Sequence, residues 1–166
     1  GSDVVIVGNR LPRDAHTVLA AGGINAALGT RDPEDSWQQH FADTVKEGYF
    51  LSDPYTVELM VKHAPQAIAE LVSYGVEFAL TDTGELDQRY FGAHKYRRTC
   101  YAGDYTGRAI LYGLADRVEE LSIPIHEYRY VTELLVDDGL CFGALAFDIN
   151  TGERTVYLAD AVVLAA

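Results

Sequence analysis

Two adjacent glycines, Gly22 and Gly23, constrain this chain more than any other feature. They sit inside the run from His16 through Thr17, Ala20 and Ala21 to Ile24, Ala26, Ala27 and Gly29. Neither glycine carries a Cβ, so the main chain there can come closer to a flat or bulky object than any other residue type allows. The flanking alanines keep side chains short on both sides. His16 stands at the head of the run, with the Thr17 hydroxyl able to donate or accept beside it. The pattern suits a segment lying against a large buried ligand.

Around this stretch the chain reads as α/β. Val4–Val7 is a β-branched run closed by Gly8, the pattern of a buried parallel strand entering a dinucleotide-binding unit. The rest of a G-x-G-x-x-G turn does not follow. Gly8 runs into Asn9 and Arg10, and Pro12 argues against a helix there. A first helix is predicted from Pro33 to Gly48, with Trp37, Phe41, Thr44 and Val45 on one face. His40 on that helix reads as a surface or packing residue. A second helix starts at Pro54 behind the Ser52-Asp53 cap, with Val57, Met60, Val61, Ala64, Ile68, Leu71 and Val72 as an apolar stripe. Pro65 should bend or split it.

Val76–Leu80 is a strand candidate, Asp82-Thr83-Gly84 a turn, and Asp87–Gly103 an ordered loop with short strands. A third helix is expected over Thr106–Leu121, facing the core through Ile110, Leu111, Leu114 and Val118, and Ser122–Glu127 reads as a buried strand after it. The period then changes to two. Tyr130–Asp137, Cys141–Ile149 and Arg154–Leu158 make a three-stranded meander with turns at Asp138-Gly139 and Asn150-Thr151-Gly152. Ala161–Ala165 is again a continuous apolar run.

At 166 residues the chain has the size of one domain. Its net charge of −12 argues against nucleic acid and anionic membrane surfaces as partners. Its apolar runs are too short for direct membrane insertion. Cys100 and Cys141 lack metal-site spacing, so no metal is expected, and they read as reduced cytosolic thiols. Against this acidic background, Arg89, Lys95, Arg97, Arg98 and Arg108 face one acid, Asp104, within twenty residues. Tyr90, Phe91, Tyr96 and Tyr101 interleave with them. That is a candidate anion-attracting face; the alternative is a solvated loop paired to acids elsewhere in the chain. His63, His94 and His126 read as loop or surface residues.

The His16-Thr17 pair leading into Gly22-Gly23-Ile24 is similar to the FAD-contacting segment of the flavoprotein subunit of succinate dehydrogenase and fumarate reductase. The resemblance implies a partial FAD-binding fold of the glutathione-reductase type, with an inserted helical segment and the β-meander. Residues 3–29 and 123–166 would form the cofactor half, and 30–121 the helical segment with a substrate-side loop. It implies FAD, carried covalently by His16 and contacted by Thr17, Gly22, Gly23 and Gly8, with Tyr130 and Val131 on the adenine side. Compared with the family, a glycine turn, a helix and a strand are missing after Gly8, and a Thr-Gly-Gly turn should follow Ala166.

Gln88-Arg89-Tyr90-Phe91-Gly92 is similar to the family's Gln-Arg-x-Phe-Gly-Gly segment, which makes Gln88, Arg89, Phe91 and Gly92 the substrate-side candidates; Ala93 replaces the second glycine. The activity implied is interconversion of succinate and fumarate by hydride transfer to or from flavin. The implied partners are a small dicarboxylate and an iron–sulfur subunit, in the cytoplasm at the inner face of a membrane. The family's catalytic residues match no positions here, so none is assigned. Asp104-Tyr105-Thr106-Gly107-Arg108 ends in arginine, as in L-aspartate oxidases, where the family has histidine. A non-covalent aspartate-oxidase relative and a catalytically empty binding module are the alternatives.

Overall fold

The computed structural model describes residues 2–165. In chain order the elements are β1 (Ile6–Val7), β2 (Ile24–Asn25), α1 (Trp37–Glu47), α2 (Pro54–Ser73), β3 (Gln88–Arg89), β4 (Thr99–Cys100), α3 (Thr106–Glu120), β5 (Ile125–His126), β6 (Arg129–Asp137), β7 (Leu140–Asp148) and β8 (Arg154–Leu158). Short 3-10 turns occupy Pro12–Asp14 and His16–Leu19. The chain divides into two compact units, residues 1–15 with 118–166, and residues 16–117. No helix among the described residues is long and apolar enough to cross a membrane.

In the first unit β1 pairs in parallel with β5, Ile6 opposite Ile125 and Val7 opposite His126. The expected strand direction is present, but the strand is short and not buried. Val4, Val5 and Ile6 are each about two-fifths exposed. A parallel strand is enclosed when helices cover both faces and strands flank both edges. Here β5 is the single strand paired with β1 among the described residues.

The meander β6-β7-β8 is antiparallel throughout and follows the predicted strands to within a residue or two. Asp138 and Gly139 both take positive φ, 45° and 78°, as a two-residue hairpin turn requires. At the second turn the Asp148 carboxylate accepts from the main-chain N–H groups of Asn150 and Thr151 at 2.7 and 2.9 Å. Gly143 on β7 is forced to be small, because a Cβ there would lie 2.1 Å from the Tyr157 carbonyl oxygen. The apolar run at 161–165 forms no strand, and Val163 and Leu164 are 87% and 71% exposed; Ala166 lies outside the described residues.

The second unit packs its helices around a core of Ala26, Ile68, Val76, Phe78 and Cys100. α1 starts at Trp37 rather than Pro33, with the Ser36 hydroxyl capping the Gln39 N–H at 3.2 Å. The residues just before it form a turn instead, closed by Asp35 N–H to the Asp32 carbonyl. α2 is capped by Asp53 and runs unbroken through Pro65. Val57, Val61 and Ile68 are buried on both sides of the proline, and their packing outweighs the hydrogen bond the ring removes. Met60 and Val72, expected in the stripe, are about half exposed.

Residues 76–80 are extended without forming a regular strand. Ala79 donates to the Tyr101 carbonyl at 2.7 Å and accepts from Asp87 at 2.8 Å, and Leu80 bridges Leu86. α3 packs Ile110 against the core as expected, but its buried residues include Gly113 and Ala115 while Leu114 is exposed. β2, β4 and β3 form a small antiparallel sheet with β4 in the middle.

Candidate functional site

The segment around the twin glycines lies in the second unit. His16, Thr17, Leu19, Ala20, Ala21 and Gly23 are all exposed, so one side of this stretch is an open strip of mostly small residues with the His16 imidazole at its head. Its other side is packed. The Gly107 N–H at the start of α3 donates to the Ala20 carbonyl at 2.7 Å, and a Cβ on Gly107 would come within 1.9 Å of the Thr17 carbonyl oxygen. Gly23, at φ +123°, leaves no space either, since its Cβ would lie 2.5 Å from the Cys100 carbonyl oxygen and the Thr99 methyl. The hydrogen that Gly22 carries in place of a Cβ faces the Phe91 ring, whose Cζ would stand 2.6 Å from an added Cβ.

The two glycines are thus required by neighbouring protein, Gly23 by β4 and Gly22 by the Phe91 ring. The space where their side chains would be is filled by protein, and the exposed side is that of His16, Thr17, Ala20 and Ala21.

Arg89 braces the same segment. Its Nη2 donates to the carbonyl oxygens of Ala21 and Gly22 at 3.1 and 2.8 Å, and its guanidinium carbon lies 4.3 Å from the Tyr101 ring centroid. The Tyr101 hydroxyl donates to Asp87 at 2.8 Å, and Asp87 takes Arg31 at 2.6 Å. The bond to Arg31, then that to Tyr101, holds the Asp87 carboxyl down to about 2 against the cost of burial. Gln88 is buried; its amide donates to the Ala26 carbonyl at 2.7 Å and accepts from Thr30 N–H at 3.2 Å. Its amide ties the loop to the main chain of Ala26 and Thr30. Phe91 is about half exposed, and Gly92 turns at φ +73° with open space around it.

The expected anion-attracting face loses its two central charges to acids distant in sequence. Arg97 forks onto Asp32, with Nε at 3.1 Å and Nη2 at 2.5 Å. Arg98 is fully buried and pairs with Asp35 at 2.8 Å and Asp43 at 2.9 Å. Lys95 and Arg108 lie over the rings of Tyr96 and Tyr105. Paired charge is the arrangement observed for Arg97 and Arg98.

Beside them lies a cluster that residue order does not reveal, with His40 and Arg98 buried and His94 half-buried. His40 is 3% exposed with its ring 6.3 Å from that of His94, and burial, then the Arg98 charge, holds His40 down to about 4. The same two causes lower His94. The His94 Nε2 lies 3.4 Å from Asn25 Nδ2, and Asn25 Oδ1 accepts from the Thr99 hydroxyl at 2.6 Å. His40 Nδ1, His94 Nδ1 and Arg98 Nη1 are buried without a partner among the described residues. An acid three residues from His40, as Asp43 is, was the one signal available. Cys100 is buried and its thiol is pushed up to about 11, an inert sulfur. No group of three or more metal-ligating side chains occurs among the described residues.

In the first unit the Gly8 N–H donates to the His126 carbonyl and the Gly8 carbonyl accepts from Arg129 N–H. Both main-chain groups are occupied, so Gly8 ends a strand and offers no phosphate-holding amide. Tyr130 is half exposed with its ring 5.5 Å from Phe147, and Val131, opposite Ala146 in the ladder, is 39% exposed.

The chain is 41% identical over 149 residues to a fumarate reductase (CoM/CoB) subunit of Methanothermobacter marburgensis, covering 90% of this chain and 27% of that protein. It is 38% identical over 163 residues to an FAD-dependent oxidoreductase of Methanocaldococcus jannaschii, covering 98% and 30%. That alignment is no longer than the part of this chain it covers, which leaves no room for a helix and strand missing between Gly8 and Asn9. The strand at β1 therefore leads directly to the His16 stretch. The structure superposes on the Mycobacterium smegmatis Sdh1 complex in the apo form with a TM-score of 0.94 at 37% identity, covering 97% of this chain and 29% of that one.

The chain thus spans less than a third of the length of the curated relatives it matches. Its mixed helix and strand fold is that of the corresponding part of these flavoproteins. The FAD binding domain family matches residues 1–166 in full, and the chain belongs to it.

Proposed function

We propose that this chain is the flavin-holding part of an FAD-dependent oxidoreductase that interconverts succinate and fumarate. The observation that carries the reading is the open strip from His16 to Gly23, braced from behind and headed by an exposed imidazole. The likeness to fumarate reductase and succinate dehydrogenase chains supports it. When bound, the flavin supplies hydride-transfer chemistry. His16 is the residue that would tether it, with Thr17, Gly22 and Gly23 alongside.

Arg89 and Phe91 border the strip and Gly92 turns the chain away from it, so the substrate side of the flavin would lie near them. A dicarboxylate substrate needs positive charge, and Arg89 is an arginine of this loop that hydrogen-bonds carbonyls rather than a carboxylate. An iron–sulfur subunit is the expected electron partner, which would place the protein peripherally at the inner face of a membrane.

The test is the colour of the full-length protein after acid denaturation. Yellow that stays with the polypeptide, and is lost from a His16→Ser variant, supports a histidyl flavin. Yellow released on denaturation moves the assignment to a non-covalent relative of the L-aspartate oxidase kind. A colourless protein that takes up no FAD overturns the reading.

A further inference from the structure

Arg89 differs from its basic neighbours in what it holds. Arg97 and Arg98 pair with carboxylates, Arg97 also reaching the Arg31 carbonyl, whereas Arg89 has no carboxylate partner among the described residues and goes to two consecutive main-chain carbonyls, those of Ala21 and Gly22. The sheet does not impose this contact. β3 pairs with β4 and β4 with β2, so β3 and β2 share no ladder, and the guanidinium reaches past them to the residues preceding β2. The side chain is itself aimed. Tyr101 supplies a face beneath the guanidinium, the Tyr101 hydroxyl is fixed by Asp87, and Asp87 is fixed by Arg31.

The segment it holds is the one with least intrinsic order, because two residues without Cβ atoms stand in succession. Two charge-assisted hydrogen bonds on successive carbonyls restrict the peptide planes that lead into Gly22 and Gly23.

We infer that Arg89 is a positioning residue that clamps the Ala21–Gly22 main chain, keeping the flavin-facing strip flat before any cofactor arrives. This rests on the reading that the strip faces flavin. It assigns Arg89 a role distinct from the substrate-side one suggested by its motif. The Tyr101–Asp87–Arg31 chain behind it belongs to the same device, since each member fixes the orientation of the next. A lysine could restore the charge but could not lie flat on Tyr101 while donating to two carbonyls.

The experiment uses the full-length protein prepared without flavin, comparing Arg89→Gln, Arg89→Lys and Tyr101→Leu with the parent by amide hydrogen exchange, followed by FAD loading. Arg89→Gln is expected to speed exchange in residues 20–25 by about tenfold or more, the scale of lost hydrogen bonds to a charged donor, with α1 and α2 protection unchanged. Tyr101→Leu, which leaves Arg89 in place, should loosen the same residues by less. Arg89→Lys should loosen them despite its charge, and all three should load less FAD than the parent.

Unchanged exchange at 20–25 in Arg89→Gln overturns the clamp. Loss of protection across the whole of residues 16–117 also overturns it, making Arg89 a general fold residue. Faster exchange at 20–25 with full FAD loading leaves the clamp intact but removes its cofactor role. A parent protein that binds no FAD at all sinks the flavin reading instead, a result separate from any exchange outcome.

Discussion

Gly22 is held between a guanidinium on its carbonyl and an aromatic ring where its side chain would be, and the two neighbours differ in how far they can yield. Gly22→Ala should cost about 1–2 kcal/mol, because the Phe91 ring is half exposed and can swing away. Adding Phe91→Ala should recover much of that loss, and a double-mutant cycle by denaturant unfolding measures the coupling. Additive effects would show that the ring does not press on Gly22. Gly23→Ala has no such escape, since the obstruction is the Cys100 carbonyl and the backbone sits at φ +123°; about 3 kcal/mol or more is expected.

His40 gives a pH dependence. Its folded value of about 4 lies below the ordinary histidine value, so the unfolded chain binds the proton more readily. The stabilisation is therefore complete above about pH 6.5. It is lost as pH falls from there toward 4, by an amount on the order of 1–3 kcal/mol. Unfolding free energies at a series of pH values should show this slope in the parent and a flatter one in His40→Gln.

At the scale of elements, the helices are arranged by their smallest residues as much as by their apolar ones. Gly107 lets the start of α3 touch the turn at Thr17 and Ala20, and Gly113 lets the middle of α3 meet Val76. Gly107→Ala should be the more damaging of the two. Its obstruction is a carbonyl oxygen at 1.9 Å, whereas Gly113 faces a valine methyl at 2.6 Å that can rotate. A melting temperature left unchanged by Gly107→Ala would contradict that close approach. Pro65 offers the opposite test. α2 is continuous through it, so Pro65→Ala restores a helix hydrogen bond and should raise stability by about 1–3 kcal/mol in thermal unfolding.

Across the whole molecule, the meander and the helix starts could be read directly from residue order. Strand alternation repeats every two residues, and Asp138-Gly139, Ser36 and Asp53 mark turns and caps through bonds to residues two or three positions away. The burial of Gly107 and Gly113 on α3 could not be read this way, because glycine carries no hydrophobic signal when it is selected for closeness. Nor could the exposure of Val4–Ile6, which depends on how many strands flank β1. The candidate site divides in the same manner: His16 and the twin glycines stood out by composition, while the cluster of buried His40 and Arg98 with half-buried His94 did not.

The order of residues alone pointed to the family, the three helices, the meander strands and the His16–Gly23 stretch, since each depends on chemistry within a few positions. The tertiary structure decided which charges remain available and what the glycines are for. Arg97 and Arg98 meet acids 55 to 65 residues away, and Gly22 and Gly23 meet Phe91 and β4 from across the fold. Which partners such distant groups find is set by the folding of the whole unit, and no local pattern encodes it.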